Sequence, residues 1–217
     1  MRITKFGHSC LLVEEGEAKI LIDPGRYCFI EGKMQPEDFP DFGALLITHE
    51  HLDHCDLEAL PRIISNRKVS IFTNASVAAA LREHGFESQV LAAGEETTFA
   101  GTPIKAVEAP HGLISEYVKI PENTGFLLGG RFLHPGDSLV PDIEAGVEIL
   151  AVPVVAPWLA VRESLQMAKR LRPRVAIPIH DSIIKDWVRS PYENLEKEGK
   201  SSNFIVREIK WRESIEV

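Results

Sequence analysis

Cysteine is scarce in this sequence, and the few cysteines present are far apart. Cys10, Cys28 and Cys55 make an odd number with no regular spacing. A disulfide framework is therefore excluded as the main source of stability, and free thiols fit a reducing compartment. The chain also lacks an apolar run of about 20 residues and an N-terminal positive stretch followed by an apolar one, the signs of a membrane span and of export. We expect a cytoplasmic protein with no membrane partner.

Positively charged residues are also fewer than negatively charged ones. Lysine and arginine number 24 against 32 aspartates and glutamates, which gives a formal net charge of -8. Because polynucleotide binding relies on neutralising many phosphates, nucleic acid is disfavoured as a partner. Internal repeats and low-complexity segments are missing too, which excludes a solenoid. A length of 217 residues with 44% hydrophobic content predicts one globular domain over residues 1–217, with homo-oligomerisation left open.

Imidazole and carboxylate side chains are most concentrated in Thr48-His49-Glu50-His51-Leu52-Asp53-His54, which follows an apolar run at 44–47. That run predicts a short buried strand, so the histidines begin where backbone pairing ends. His49 and His51 share one face of an extended chain, whereas Asp53 and His54 follow as the chain turns away. The spacing predicts two adjacent metal positions, because imidazole and carboxylate together suit zinc, iron or manganese. The alternative is an exposed polar turn, in which histidine and aspartate are also common.

Alternation and apolar runs predict many short strands with a few helices between them. We expect strands at 2–6, 10–14, 19–22, 44–47, 70–73, 88–91, 97–99, 104–108, 124–128, 131–133, 148–152 and 175–179. We expect helices at 57–65, at 75–84 with Asn74 as the N-cap, and at 161–171. Residues 203–215 are expected to close a sheet as an edge hairpin or extended pair, and 25–42 form a long loop beside the site. This order fits two packed sheets with helices outside.

The pattern His-x-His-x-Asp-His at 49–54 resembles the signature of the metallo-β-lactamase superfamily. Five further segments match in the expected order: Gly7-His8-Ser9-Cys10-Leu11-Leu12-Val13, Leu21-Ile22-Asp23-Pro24, His111 after Glu108-Ala109-Pro110, His134-Pro135-Gly136-Asp137, and Ile177-Pro178-Ile179-His180. The chain is most similar to the compact branch that includes the ascorbate-phosphate lactonase. The resemblance implies an α/β fold, the four-layer αββα metallo-β-lactamase sandwich.

The resemblance also implies a site with two divalent metal ions. His49, His51 and His111 would bind the first ion, Asp53, His54 and His180 the second, and Asp137 would bridge the two. Zinc is the expected metal, with manganese and iron as alternatives. Taken alone, His111 or His180 could equally be a core histidine satisfied by a hydrogen bond.

Several other residues have two interpretations each. Asp23 either holds a ligand histidine from outside the metal shell or caps the turn before Pro24. His8 and His134 match the resembled branch and would touch substrate or carry a proton, unless they are structural. Cys55 is interpreted as a small residue packed beside the site, and His84 as a solvent-facing helix end.

One segment departs from the resembled branch, whose members often carry Gly-Gly and then Met before the helix that leads to the last histidine. This chain has Val154-Val155-Ala156-Pro157-Trp158-Leu159 instead. Trp158 would either narrow the mouth of the site or pack under the helix. Lys185, Trp187 and Arg189 are interpreted as a solvated helix face, the alternative being cationic contacts to an anionic substrate.

The favoured function is a metal-dependent hydrolase. A metal-bridging hydroxide, with Asp53 and Asp137 as the catalytic carboxylates, would cleave an ester, lactone, amide or phosphoester bond in a small anionic substrate. An oxidoreductase of the sulfur dioxygenase type with a single iron is the first alternative. A non-catalytic metal-binding protein and a ribonuclease of the same fold are the others. Diiron flavoprotein reductases place glutamate where this chain has His51, which disfavours that branch.

Overall fold

Two seven-stranded sheets form the centre of the molecule, in a computed structural model that describes residues 1–65, 67–185 and 187–217. The first sheet has the order β14-β1-β2-β3-β4-β5-β6. Its strands are β1 (Arg2–Lys5), β2 (Leu11–Glu15), β3 (Ala18–Ile22), β4 (Ala44–Leu46), β5 (Ser70–Thr73), β6 (Gln89–Val90) and β14 (Ser214–Glu216). Neighbours from β14 to β3 are antiparallel, and those from β3 to β6 are parallel.

The second sheet repeats this mixed plan, with the order β13-β12-β11-β10-β9-β8-β7. Its strands are β7 (Glu96–Phe99), β8 (Thr102–Glu108), β9 (Thr124–Leu128), β10 (Phe132–His134), β11 (Ile149–Pro153), β12 (Val175–Ile179) and β13 (Ile205–Val206). Neighbours from β7 to β10 are antiparallel, and those from β10 to β13 are parallel. The turn between β9 and β10 is the predicted Gly129-Gly130 hairpin, in which both glycines have positive φ.

Among the described residues, four helices cover the outer faces of the sheets. They are α1 (Leu60–Ile63), α2 (Ala75–Glu83), α3 (Val161–Leu171) and α4 (Ser190–Ser202). The long loop at 25–42 contains three short 3-10 turns, Arg26–Cys28, Ile30–Gly32 and Pro36–Asp38. In the described parts of the chain, no helix is long and apolar enough to cross a membrane.

The strand period of two divides the apolar residues between three cores. In β2 and β3, Val13 and Ile20 face the other sheet, whereas Leu12 and Leu21 face α1 and α2. The second sheet does the same, since Leu150 packs outward against α3 and α4 while its neighbours point inward. The predicted four-layer αββα sandwich is therefore confirmed. The boundary of one domain at 1–217 stays a prediction.

The C-terminal segment differs from its prediction. The pair expected within 203–215 does not form, because β13 pairs with β12 in the second sheet and β14 pairs with β1 in the first. Between them the chain crosses from one sheet to the other and buries Ile209 in the core that the sheets share. Local alternation identifies an extended segment but not its partner, and here each end has a different one.

Two helices also differ from expectation. The helix predicted at 57–65 is only the single turn α1, because Asp56 forms a capping turn over 57–59 before it. The helix α4 was not predicted at all. Lys185, Trp187 and Arg189 precede it, so their interpretation as a helix face is wrong.

Asn74 is the predicted N-cap of α2 and also connects this helix to the histidine loop. Its Oδ1 accepts a hydrogen bond from the Val77 amide at 3.0 Å. Its Nδ2 donates to the carbonyl oxygens of Thr48 at 2.9 Å and Glu122 at 3.1 Å. The side chain is almost fully buried. One residue therefore fixes α2, the start of the histidine loop and the entry to β9.

We expect Asn74→Ala to lower the free energy of unfolding by about 2 kcal/mol, because it removes the cap and the donor to two buried carbonyls. Urea denaturation of metal-free protein measures this difference. Asn74→Ser keeps a cap acceptor without the amide donor and should give an intermediate value. Equal denaturation midpoints for parent and alanine variant would contradict the expectation.

Candidate metal centre

The candidate ligands lie where strands end, on one edge of the sandwich. The histidine loop follows β4, His111 follows β8, Asp137 follows β10, and His180 follows β12. These strand ends meet because β8 and β10 both run antiparallel to β9, while β10, β11 and β12 are parallel. Two backbone hydrogen bonds join the sheets there, from Thr124 to Thr48 at 2.9 Å and from His180 to His8 at 3.1 Å.

The first cluster consists of His49, His51, His111 and Asp137. His49 Nε2 lies 3.1 Å from His51 Nδ1, and His111 Nε2 lies 3.4 Å from Asp137 Oδ2. A tetrahedral zinc ion with bonds of 2.0–2.1 Å keeps its ligand atoms about 3.4 Å apart. The first cluster therefore has the donor types and the spacing that such an ion requires.

The second cluster contains His8 in addition to Asp53, His54 and His180. Asp53 Oδ2 is its centre, 3.1 Å from His8 Nε2, 3.4 Å from His180 Nε2 and 3.9 Å from His54 Nε2. The Asp53 side chain is 22% exposed, so solvent reaches this carboxylate from the open side. His8 was predicted to contact substrate. Its position beside Asp53 fits either a fourth ligand of the second cluster or a partner that orients Asp53.

Asp137 lies between the two clusters. Its Oδ1 is 3.0 Å from His54 Nε2, while its Oδ2 is 3.3 Å from His180 Nε2 and 3.8 Å from His49 Nε2. Four buried atoms at this point have no hydrogen-bond partner, namely Nε2 of His54, His111 and His180 and Oδ1 of Asp137. Buried polar atoms are normally paired, so this convergence fits atoms reserved for metal ions.

The opposite nitrogen of each ring is held by a neighbour. Nδ1 lies 2.6 Å from a carbonyl oxygen in both His111 and His180, the partners being Gly112 and Val155. His54 Nδ1 lies 2.7 Å from Asp23 Oδ2. A ring that donates from Nδ1 keeps the lone pair of Nε2 free, and Nε2 faces the centre.

The position of Asp23 agrees with the first of its two interpretations, in which it holds a candidate ligand histidine from outside the metal shell. Besides His54, its carboxylate accepts hydrogen bonds from the Thr48 amide at 2.8 Å and the Thr48 hydroxyl at 2.7 Å. It is fully buried and has a positive φ, so it leaves β3 in a tight turn aimed at the histidine loop. Asp23 fixes both the start of that loop and one of its rings.

Burial and the neighbouring carboxylates shift the pKa values of the histidines in opposite directions. Burial lowers the pKa of His49 and lowers that of His8 to about 4, so both are neutral at pH 7. Burial also disfavours charge on His180, but Asp137 and Asp53 overcome it and raise its pKa to about 9. For His54, the carboxylates of Asp137 and Asp23 likewise outweigh burial and raise the pKa. The carboxylates therefore favour positive charge at the centre of the site, whether a proton or a metal ion supplies it.

The remaining predicted residues fall outside both clusters. His134 is fully buried and its two ring nitrogens face the Ser9 carbonyl oxygen and the Gly136 amide, so it has no nitrogen for a substrate, and the structural interpretation replaces the predicted one. Cys55 is buried and burial raises its thiol pKa to about 12, which fits a packing residue. His84 is exposed at the end of α2. All three cysteines are free.

Trp158 is the residue whose position the sequence left undecided. Its indole Nε1 donates a hydrogen bond to Asp137 Oδ2 at 3.1 Å. Its ring centroid lies 5.4 Å from that of His111 and 5.8 Å from that of His180. Trp158 therefore forms a wall of the site, and the N–H edge of its indole contacts the carboxylate that lies between the two clusters.

The comparisons with known proteins agree with this geometry. The protein Rv0786c of Mycobacterium tuberculosis is 34% identical over 212 residues, covering 95% of this chain and 96% of its own. A UPF0173 metal-dependent hydrolase of Carboxydothermus hydrogenoformans is 30% identical and covers 83% of this chain and 84% of its own. The structure of Igni18, a metallo hydrolase from Ignicoccus hospitalis, superposes with a TM-score of 0.78 at 22% identity over 99% of this chain and 97% of its own.

The fold and the paired clusters define a metal-dependent hydrolase of the metallo-β-lactamase fold. More narrowly, the chain belongs to the family described as the beta-lactamase superfamily domain, which matches residues 2–180. The matched region ends on His180, so it contains every predicted ligand. The narrower resemblance to the ascorbate-phosphate lactonase branch stays a prediction, as does the role of each ligand.

We expect Asp23→Asn to weaken zinc binding by about 10- to 100-fold, the usual effect of losing an outer partner of a ligand histidine. An amide at this position would donate to His54 Nδ1 and leave the proton on Nε2, where it blocks coordination. Competition with a chromophoric chelator measures the affinity. Asp56→Asn is the matched control, a buried carboxylate just after the histidine loop that bonds Arg26 rather than a ring. Equal zinc affinity in both variants would remove Asp23 from this role.

Proposed function

We propose that this protein is a dinuclear metal hydrolase that cleaves an ester, lactone or phosphoester bond in a small anionic substrate. The observation that carries the proposal is the position of Asp137, whose carboxylate lies within 3.0–3.8 Å of histidines from both clusters. A single ion would use the ligands of only one of these two clusters. This position therefore supports two ions over the single iron of a dioxygenase.

The ligand sets follow the clusters. His49, His51 and His111 would hold one ion, Asp53, His54 and His180 the other, and Asp137 would contact both. Neutral imidazoles with a few carboxylates favour zinc, and manganese or iron would also be accepted by this donor set. Divalent ions held there would lower the pKa of a water molecule and polarise the bond to be cleaved.

The side chains of the site would position the attacking water and exclude other water molecules. Asp53 is the solvent-reachable carboxylate, and we assign it the task of orienting the attacking water by accepting one of its hydrogen bonds. Asp137 would do the same from the closed side. In the overall reaction the water oxygen bonds to the acyl carbon or phosphorus, the bond to the leaving oxygen breaks, and a water proton passes to that oxygen. Trp158 and the buried rings restrict other water molecules around the reacting group.

Charge supports an anionic substrate. Two divalent ions would add four positive charges against the two carboxylates of Asp53 and Asp137, which makes the site locally positive on a chain whose net charge is -8. A small phosphate or carboxylate can respond to this local charge, whereas a long polynucleotide would also meet the acidic surface. We extend the proposal to a cytoplasmic location, which the free thiols support.

Metal stoichiometry gives the first test. We expect about two equivalents of zinc in the reconstituted parent and at most about one tightly held equivalent in Asp137→Ala, because the shared carboxylate is lost. Elemental analysis after exhaustive dialysis measures both. Asp142→Ala, an exposed aspartate in the loop after β10, should keep the content of the parent. Two equivalents with unchanged affinity in Asp137→Ala would refute the bridging role.

A substrate screen gives the second test. We expect metal-loaded protein to hydrolyse at least one member of a panel of phosphodiesters, sugar-phosphate lactones and thioesters. His51→Ala should lower kcat/KM by more than about 100-fold, beyond the loss from an outer contact. His84→Ala, an exposed histidine on α2, is the matched control and should be unaffected. Cleavage of a structured RNA that depends on His51, with no turnover of any small anion, would favour the ribonuclease alternative.

A further inference from the structure

Most of the exposed large apolar side chains in the described chain lie on loops that carry or follow the candidate metal ligands. Ten large hydrophobic residues are exposed in the described chain, and eight of them belong to the histidine loop or to loops that follow His111, Asp137 and His180. These eight are Leu52, Leu113, Tyr117, Val118, Val140, Ile183, Trp187 and Val188, whereas Val90 and Ile205 lie on edge strands. Exposed apolar residues that gather at one place indicate a binding surface.

A cavity of about 530 Å³ is lined by two of these exposed residues, Leu113 and Val140, which form its apolar rim. His111 and Gly112 line it on one side, and the Asp137 loop and α3 line the others. Its apolar walls are the side chains of Leu113, Leu139, Val140, Trp158 and Met167. This volume lies in the range of 300–1,000 Å³ that is typical of small-molecule sites. Because His111 is one of its walls, a molecule in the cavity would reach the metal centre directly.

Trp158 is the wall that the cavity and the metal centre share. One edge of its indole bonds Asp137, while the ring lines the cavity. Gly112 allows this arrangement, because a Cβ at position 112 would lie 2.3 Å from Trp158 Cε3. The Gly112 amide also donates to the Asp137 carbonyl oxygen at 2.9 Å. The backbone after His111 is thus fitted to the tryptophan ring.

The charged residues of the cavity are occupied by the protein itself. Glu163 accepts a hydrogen bond from the Ala160 amide at the start of α3. Arg170, two helical turns further, donates to the carbonyl oxygens of Pro141 and Ile143 at 2.9 and 3.3 Å. Between these two ends the cavity offers the ring of Trp158 and the side chain of Met167, both able to pack on an apolar group.

We propose that this cavity binds the apolar part of the substrate, so that the substrate is amphipathic. Its anionic or reacting group would lie at the two clusters, and an alkyl or aryl group would extend past His111 and Trp158 into the cavity. This inference deepens the proposed function and rests on it for the position of the reacting group. A second copy of the chain seated on the rim is the competing occupant.

Binding of straight-chain carboxylates tests the cavity without turnover. We expect affinity to rise by about fourfold per methylene from butanoate to octanoate, the value of burying one methylene group. The fluorescence of Trp158 in a Trp187→Phe, Trp211→Phe background reports binding at the cavity wall. Metal-free protein should bind more weakly but keep the same dependence on chain length.

Substitutions at the rim provide the matched comparison. Leu113 and Val140 are 70% and 63% exposed, so a Leu113→Ser, Val140→Ser variant should fold normally. We expect it to lower the gain per methylene to twofold or less, with ester substrates of increasing chain length showing the same loss in kcat/KM. Ile205→Ser, at a site 49% exposed on β13, should behave like the parent.

Each outcome of these experiments bears on one part of the proposal. Affinity that does not change with chain length in the parent would overturn the apolar subsite, even if small anions are hydrolysed. A rim variant that alters the association state in ultracentrifugation but keeps the dependence on chain length would assign the rim to a second copy instead. Chain-length-dependent binding without turnover of any ester, lactone or phosphoester would support the cavity and refute the proposed reaction.

Discussion

The constraint on which the structure depends is the burial of an ionised carboxylate beside several imidazoles. Asp137 is 1% exposed, and an unpaired charge at that depth would cost several kcal/mol. Histidines from both clusters surround it. Burial alone would raise the Asp137 pKa, but the charges of His54 and His180 and a hydrogen bond from His111 hold it below its usual range. Such a group is stable only if its partners are held in place. The rigid strand ends of two sheets supply that positioning, which loops alone could not.

A layer of buried polar side chains transmits this rigidity from the sheets to the site. Asn123 shows how, because its Oδ1 accepts the Asp137 amide while its Nδ2 donates to the carbonyl oxygens of Ala109 and Pro135. It thereby joins the ends of β8 and β10. Gly136 belongs to the same contact, since a Cβ there would lie 2.1 Å from Asn123 Oδ1. Asp23 and Asn74 perform the equivalent task around Thr48, so each ligand loop has its own support.

The sequence predicted most of the fold near the site because those elements carry strong local signals. The strands before His49 and His180 are short apolar runs, and Asn74 has a side chain typical of a helix N-cap. The alternation fits two sheets with helices outside, and the family resemblance implies the four-layer αββα arrangement. The candidate ligands lie in two neighbouring clusters, with His8 added to the second, while their roles as metal ligands stay predictions. The partners of β13 and β14 could not be predicted, because strand pairing across a long separation leaves no local pattern. The contacts of His134 and Trp158 depend on the same distant packing.

The division between strands and loops also explains how one scaffold can keep its chemistry while its substrate changes. The candidate ligands lie close behind strand ends fixed by both sheets, whereas the apolar rim of the cavity lies further along the loops that continue from those ends. A loop can therefore change its exposed side chains with little effect on the core. Trp158 is the exception, since it bonds Asp137 with its indole nitrogen and lines the cavity with its ring. It stands in the segment where this chain departs from the branch it resembles, so substrate shape and the environment of the shared carboxylate are coupled through a single side chain.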